Sequence, residues 1–361
     1  MELQAGVRET PLSETHRTSG AQMGVWFGCD LPDSFVDWQA EYRALRESVA
    51  LIDKNYRAYF RFTGPDRVRY LNAILTNDIK NLTKNHANIS LFLNPQGHIQ
   101  AEIETHARPE ELFCVSYAMI RERLTPALDK YIIMDDVTLT DLTPEYATLA
   151  LEGPRAADAV EQVAGVKLAD LEECESREIS AKGIPCRLIR RTPGSDPSGE
   201  FLTSCERVPQ LWKALLDAAG SAGGTPAGYK ALNTVRLEQG NPWFGYDFGE
   251  KQIPHEARLE NSHISYTKGC YTGQEIVERV RSRGQVNRVR VSLCFETTEA
   301  PAPNTSLSSD GKEVGYVTRA GFSPARNTFI GMGYLRREKS APGTHLDCAG
   351  SVATPIATPI K

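Results

Sequence analysis

No run of about 18 apolar residues occurs in the 361-residue chain, so no membrane-spanning helix is expected. The eight cysteines, at 29, 114, 174, 186, 205, 270, 294 and 348, form no C-x-x-C pair and never come closer than twelve residues. That excludes the usual zinc-ribbon and ferredoxin patterns, and the thiols read as reduced and mostly buried rather than as a disulfide framework. Positive charge is also short: 41 Lys and Arg face 46 Asp and Glu, and the net charge of -5 argues against a protein built to coat nucleic acid. The first 20 residues lack the apolar stretch of a secretory signal and carry Glu2, Glu9 and Glu14, unlike a transit peptide. A cytoplasmic location is the expectation. The seven histidines show no metal-ligand spacing, so no metal site is expected.

What is present suggests two or three domains of α+β character. Residues 1–20 read as a flexible lead-in. Phe35, Trp38, Tyr42, Leu45 and Val49 recur at helical spacing, so a helix is expected from Phe35 to Leu51. Arg57 to Phe62 alternates as a strand and runs into Gly64-Pro65, followed by a helix through Val68, Leu71 and Leu75. The same strand, Gly-Pro, helix device returns 89 residues later at Tyr146–Leu151 and Gly153-Pro154, which favours two related α+β halves. Between them, Ile89–Leu93 and Ile99–Ala107 flank Asn94-Pro95-Gln96-Gly97-His98 as a hairpin. From Arg288 onward, short alternating runs separated by Pro, Asn, Ser and Gly read as an antiparallel β-barrel or sandwich. The expected division is 21–285 for the α+β region, 286–350 for the β-domain and 351–361 for an extended tail.

The densest functional group is Lys268-Gly269-Cys270-Tyr271-Thr272-Gly273-Gln274-Glu275, which packs an ammonium, a thiol, an amide, a carboxylate and two glycines into eight residues. Glycines that close permit a sharp turn and close approach to a ligand; the plainer reading is a glycine turn with one buried cysteine. Upstream, Arg236 and Glu238 end a helix before the aromatic loop Trp243-Phe244-Gly245-Tyr246, a set that suits a flat heterocycle or, more plainly, a domain interface. The arginines at 279, 281, 283, 288 and 290 read either as a solvated edge or as an anion site or partner contact.

The segment Lys268–Glu275 resembles the signature of the YgfZ-type folate-binding proteins, whose mitochondrial relatives are iron–sulfur assembly factors. They belong to the superfamily of the glycine-cleavage T-protein, an aminomethyltransferase. Phe62-Thr63-Gly64-Pro65, Leu149-Ala150-Leu151-Glu152-Gly153-Pro154 and Thr234–Gly240 are similar to further pieces of that family, over roughly residues 20–345. The resemblance implies two α+β lobes and a C-terminal β-barrel in a three-lobed ring with a central hole. It implies tetrahydrofolate as the ligand, with Arg236 recognising the pterin and Glu238, Trp243, Lys268, Gln274 and Glu275 around it. It also implies iron–sulfur client or assembly proteins as partners, with Cys270 near the folate. An iron–sulfur cluster would be met only transiently, if at all, because one thiol cannot hold it alone. The chain departs from the aminomethyltransferases at the hairpin, where their consecutive aspartates, one of them catalytic, are replaced by Gln100-Ala101-Glu102. Glu102 is the candidate for one of those positions. The loop Pro193–Gly199 shows no equivalent of the family's folate-binding glutamate. Aminomethyl or other one-carbon transfer is therefore the alternative to a folate-binding accessory role.

Overall fold

The computed structural model describes residues 6–358, apart from the side chain of Arg283. The chain divides into two units: one holds the chain up to Leu71, Ile79–Ile89 and Ile103–Leu232, and the other holds Asn72–Asp78, Ser90–Glu102 and the chain from Asn233 onward. The expected boundary at 285/286 marks the approach to the barrel's first strand, but the unit containing the barrel also holds residues 233–287 and two earlier excursions of the chain.

In the first unit, a six-stranded sheet runs in the order Ser176–Ala181, Ile184–Arg191, Ser198–Ser204, Tyr146–Glu152, Ala50–Asp53, Thr225–Pro226. Helices Ala156–Ala164 and Val208–Ser221 bury Val160, Val163, Leu211 and Leu215 in the same core as Leu149, Leu188 and Phe201 of the sheet. A five-stranded sheet has the order Ala87–Leu93, Ile99–Ala107, Leu112–Tyr117, Arg57–Thr63, Thr138–Asp141. The chain passes from one unit to the other within its first two strands.

The two Gly-Pro devices have the same physical basis. Gly64 and Gly153 adopt φ of +97° and +120°, and a Cβ there would stand 2.1 Å from the Asp136 carbonyl oxygen and 2.6 Å from that of Ser48. Only glycine fits either turn.

Three expectations change. The helix expected over 35–51 spans Trp38–Glu47, opened by Asp37, whose side chain accepts from the Gln39 N–H. The continuous apolar run that follows forms the buried strand Ala50–Asp53, because an unbroken apolar stretch suits a strand covered on both faces. Of the expected lead-in, residues 1–5 lie outside the described residues, and Ser13–Thr18 is a helix whose His16 is fully buried, 2.9 Å from the Asp53 carboxylate. The expected extended tail contributes Ser351–Ile356 as a barrel strand.

That barrel closes in the order Arg288–Glu296, Thr328–Arg336, Lys312–Ser323, Ser306–Ser309, Leu346–Cys348, Ser351–Ile356. Val291, Leu293, Phe295, Val317 and Leu335 fill it, and closure leaves no edge strand unpaired.

Candidate functional site

The eight-residue loop is held at two points within the second unit. Lys268 Nζ donates to the carbonyls of Asn72, Leu75 and Asn77 at 2.6, 2.5 and 3.0 Å. These groups lie at the end of the helix Arg67–Ile74, where backbone carbonyls have no partner within the helix. All three ammonium protons are thereby used. Burial lowers the Lys268 ammonium to about 8, with Asp78 opposing the shift, so the group is still mainly charged at neutral pH. Lys268 is thus an anchor, where a folate contact was expected.

The second anchor is Thr272, whose N–H donates to the Ala73 carbonyl at 3.3 Å. Gly273 follows at φ +82°, and a Cβ there would stand 2.7 Å from the Asn94 carbonyl oxygen. The hairpin tip reciprocates: at Gly97 a Cβ would meet the Ile276 side chain at 2.9 Å. Between the anchors, nothing lies within 4 Å of a Cβ built on Gly269, and Cys270 is exposed. The other seven cysteines are buried or half-buried. Burial pushes the thiols of Cys29 and Cys186 up to about 11 and that of Cys114 to about 12. Gln274, half-buried, opens the helix Gln274–Arg283, and exposed Glu275 pairs with Arg279 at 2.6 Å.

Arg236, Glu238 and Trp243 gather in a different cluster. Arg236 is only 4% exposed, pairs with Asp247, donates to Asn233 Oδ1 at 3.1 and 2.8 Å, and lies 4.5 Å over the Trp243 ring. Asp247 also accepts from the Thr318 hydroxyl at 2.7 Å and the Trp243 N–H at 2.9 Å. Glu238, 1% exposed, accepts from Ser323 Oγ at 2.5 Å. Burial lowers the Arg236 guanidinium from its ordinary value, and Asp247 offsets part of this. The donors expected to read a pterin are spent inside the protein, and Trp243 alone of the three keeps a partly exposed side chain. The basic run divides likewise: Arg281 lies 4.1 Å over the Tyr266 ring, while Arg290 is buried and donates to the carbonyls of Ala257 and Gly240.

Glu102 meets a group that sequence reasoning set aside. Its Oε1 lies 3.0 Å from His263 Nε2, and His263 Nδ1 lies 2.7 Å from Ser262 Oγ. His263 is buried and Ser262 exposed, so the imidazole links a surface residue to the hairpin carboxylate through two hydrogen bonds. Ala101, in the neighbouring position, is fully buried.

The first unit holds a charge cluster that the sequence did not reveal. Glu200, one residue beyond the loop Pro193–Gly199, is bound by Lys54 at 2.8 Å, Arg57 at 2.7 Å and Arg191 at 3.3 Å. Arg191 also pairs with Glu104, which pairs with His106. Burial opposes the charge on Glu200, but Arg57, Lys54 and Arg191 outweigh it and hold the carboxyl well below its ordinary range. The only sequence signal was a glutamate inside an otherwise buried strand.

Residues 12–264 match the GCVT N-terminal domain, and residues 288–353 match the glycine cleavage T-protein C-terminal barrel domain. A relative from Koribacter versatilis named aminomethyltransferase is 27% identical, the match covering 94% of this chain and 91% of that protein. One of the same name from Rubrobacter xylanophilus is 29% identical over 92% and 88%. The crystal structure of glycine cleavage system aminomethyltransferase T from Bartonella henselae shares the fold, with a TM-score of 0.88 at 22% identity over 99% of this chain and 98% of that one.

Proposed function

Since the chain belongs to the glycine cleavage T-protein family, we propose that it binds tetrahydrofolate and acts as an accessory protein in the assembly or repair of iron–sulfur proteins, with Cys270 as its reactive group. The observation that carries the Cys270 role is the doubly anchored loop: the one exposed thiol of eight stands on an arch pinned at Lys268 and Thr272. Thiol chemistry needs access; Cys29, Cys114, Cys186 and Cys348 are buried, and Cys174, Cys205 and Cys294 are half-buried. Any cluster that Cys270 meets is shared with ligands from the client or assembly partner.

A second reading, folate-dependent aminomethyl transfer, is the one that the names of the relatives favour. The observation supporting it here is the Glu102–His263 pair, a proton-handling couple at the hairpin where the resemblance places a catalytic aspartate. Three measurements separate the readings. Tetrahydrofolate should raise the unfolding temperature in proportion to the logarithm of its concentration, and no shift removes both. Turnover of aminomethyl donors to methylene-tetrahydrofolate, lost in Glu102→Gln, would establish transfer. Recovery of iron–sulfur enzyme activity under oxidative stress by the wild type but not by Cys270→Ala would establish the accessory role.

A further inference from the structure

The first unit contains a cleft of about 690 Å³, within the size range of small-molecule sites. Ile184–Arg191 and Ser198–Ser204 contribute strand ends to it, and Arg207 stands at its edge where the helix Val208–Ser221 begins. Nothing in the folate reading uses it.

Arg108 and Arg187, both among its lining residues, have side chains only 12% exposed. Arg108 pairs with Glu111 at 2.8 Å and lies 3.8 Å over the Phe113 ring, which leaves its Nε buried with no hydrogen-bond partner. Arg187 donates to Ser176 Oγ at 3.2 Å and to Glu178 at 2.5 Å. The Glu178 side chain, however, is 82% exposed, so water screens its charge and it is free to swing away. Burial lowers the Arg187 guanidinium from its ordinary value, and the neighbouring charge of Arg108 lowers it further, outweighing Glu178. The carboxylate partners, Glu178 at 82% and Glu111 at 22% side-chain exposure, are both reached by water, so the more buried guanidiniums are incompletely neutralised and a ligand anion would relieve that cost.

The rest of the lining does not oppose an anion strongly. Burial raises the thiols of Cys186 and Cys205, which are neutral at pH 7. Glu145 and Glu206 are exposed to solvent. The helix Val208–Ser221 opens beside Arg207 with a proline in its first turn, no side-chain cap and no acidic residue in that turn.

We propose that this cleft is a ligand site for a small anion that presents a carboxylate or phosphate group to the guanidiniums of Arg108 and Arg187, displacing Glu178. Planar, fork-shaped donors suit such oxygens.

The test is isothermal titration of the full-length protein with citrate and, separately, with inorganic phosphate in low-salt buffer. Saturable binding of citrate alone assigns a carboxylate site; of phosphate alone, a phosphate site; of both, a general oxyanion site. In each case Arg187→Gln and Arg108→Gln should weaken binding by about tenfold or more, since each removes a desolvated charge partner. Glu178→Gln, which leaves the fold's interior untouched, should strengthen it by removing the competitor. Amide protection on adding the bound anion should fall in 176–187 and 202–207. Non-saturating heats with both anions, or unchanged affinity in the arginine variants, would overturn the proposal, as would protection confined to other segments.

Discussion

Glu200 in the first unit and Lys268 in the second are both partly or fully buried charges, and they are answered in opposite ways. Around Glu200, three cations surround one carboxylate, with Glu152 on Lys54 and Glu104 on Arg191 extending the chain of pairs. Around Lys268, the ammonium donates to three backbone carbonyls. The first arrangement pairs its carboxylates and cations with one another inside the protein. The second uses dipoles that the backbone supplies anyway, and so fixes a loop while leaving its thiol and Glu275 at the surface. Closed charge suits stability, and carbonyl-held charge suits presentation.

The comparison breaks most readily at Glu200. Glu200→Gln leaves Lys54, Arg57 and Arg191 facing a neutral amide, and breaking a buried network from one side costs about 3–5 kcal/mol. Urea unfolding should show a loss of that size, and a loss below about 1 kcal/mol would mean that water already reaches the cluster. Acid unfolding tests the same cluster. Burial opposes charge on Glu104 and Glu200, but their cation neighbours hold both carboxyls below the ordinary 4.5. The unfolded chain therefore takes up these protons first, and stability falls as pH drops from that value toward the lower folded ones. His106 adds an earlier onset. Its burial, only partly offset by Glu104, lowers it from 6.5, so the unfolded chain also binds this proton first and stability begins to fall below that pH. Glu200→Gln should flatten the acid limb, and His106→Gln should reduce the early onset, leaving the share of His255, which burial also lowers from 6.5.

Lys268→Met comes next in size. It removes a charged donor from three carbonyls, and bonds of that kind contribute about 1–3 kcal/mol. The sharper readout is local. Amide exchange across 268–275 should rise much more than exchange in the first unit, because the variant frees the arch without touching the Glu200 cluster. Equal increases in both units would show that the loop has no separate anchorage.

Much of the fold was legible because its signals are local. The Gly-Pro turns announce themselves through residues whose φ and backbone contacts exclude any side chain, and the barrel through alternation such as Val289, Val291, Leu293 and Phe295. The strand Ser351–Ile356 was hidden by its Thr-Pro content, which reads as extended but unpaired until the rest of the barrel supplies its neighbours. The Glu200 cluster was illegible for a different reason: Lys54 and Glu200 are 146 residues apart, and no pattern within a strand encodes such a pairing. The role of Lys268 was hidden more deeply still. Its acceptors are carbonyls, which every residue carries, so only the end of a particular helix marks them out. Glu102 was visible as a candidate, but its partner His263 was not, since a histidine spaced like no metal ligand carries no signal of its own.

The smallest expected effect on stability discriminates most finely between structure and chemistry. Cys270 is exposed, and its neighbour Gly269 is open around its Cα, so Cys270→Ser should change unfolding free energy by no more than about 0.5 kcal/mol. A limiting alkylating agent at neutral pH should modify Cys270 before Cys29, Cys114 and Cys186, which burial keeps protonated and covered. If the serine variant is as stable as the wild type, binds tetrahydrofolate equally and yet fails to sustain iron–sulfur enzymes, the loss belongs to the sulfur atom. If it sustains them fully, the anchored arch serves its glycines and Gln274 instead, and the weight moves to Glu102 and His263.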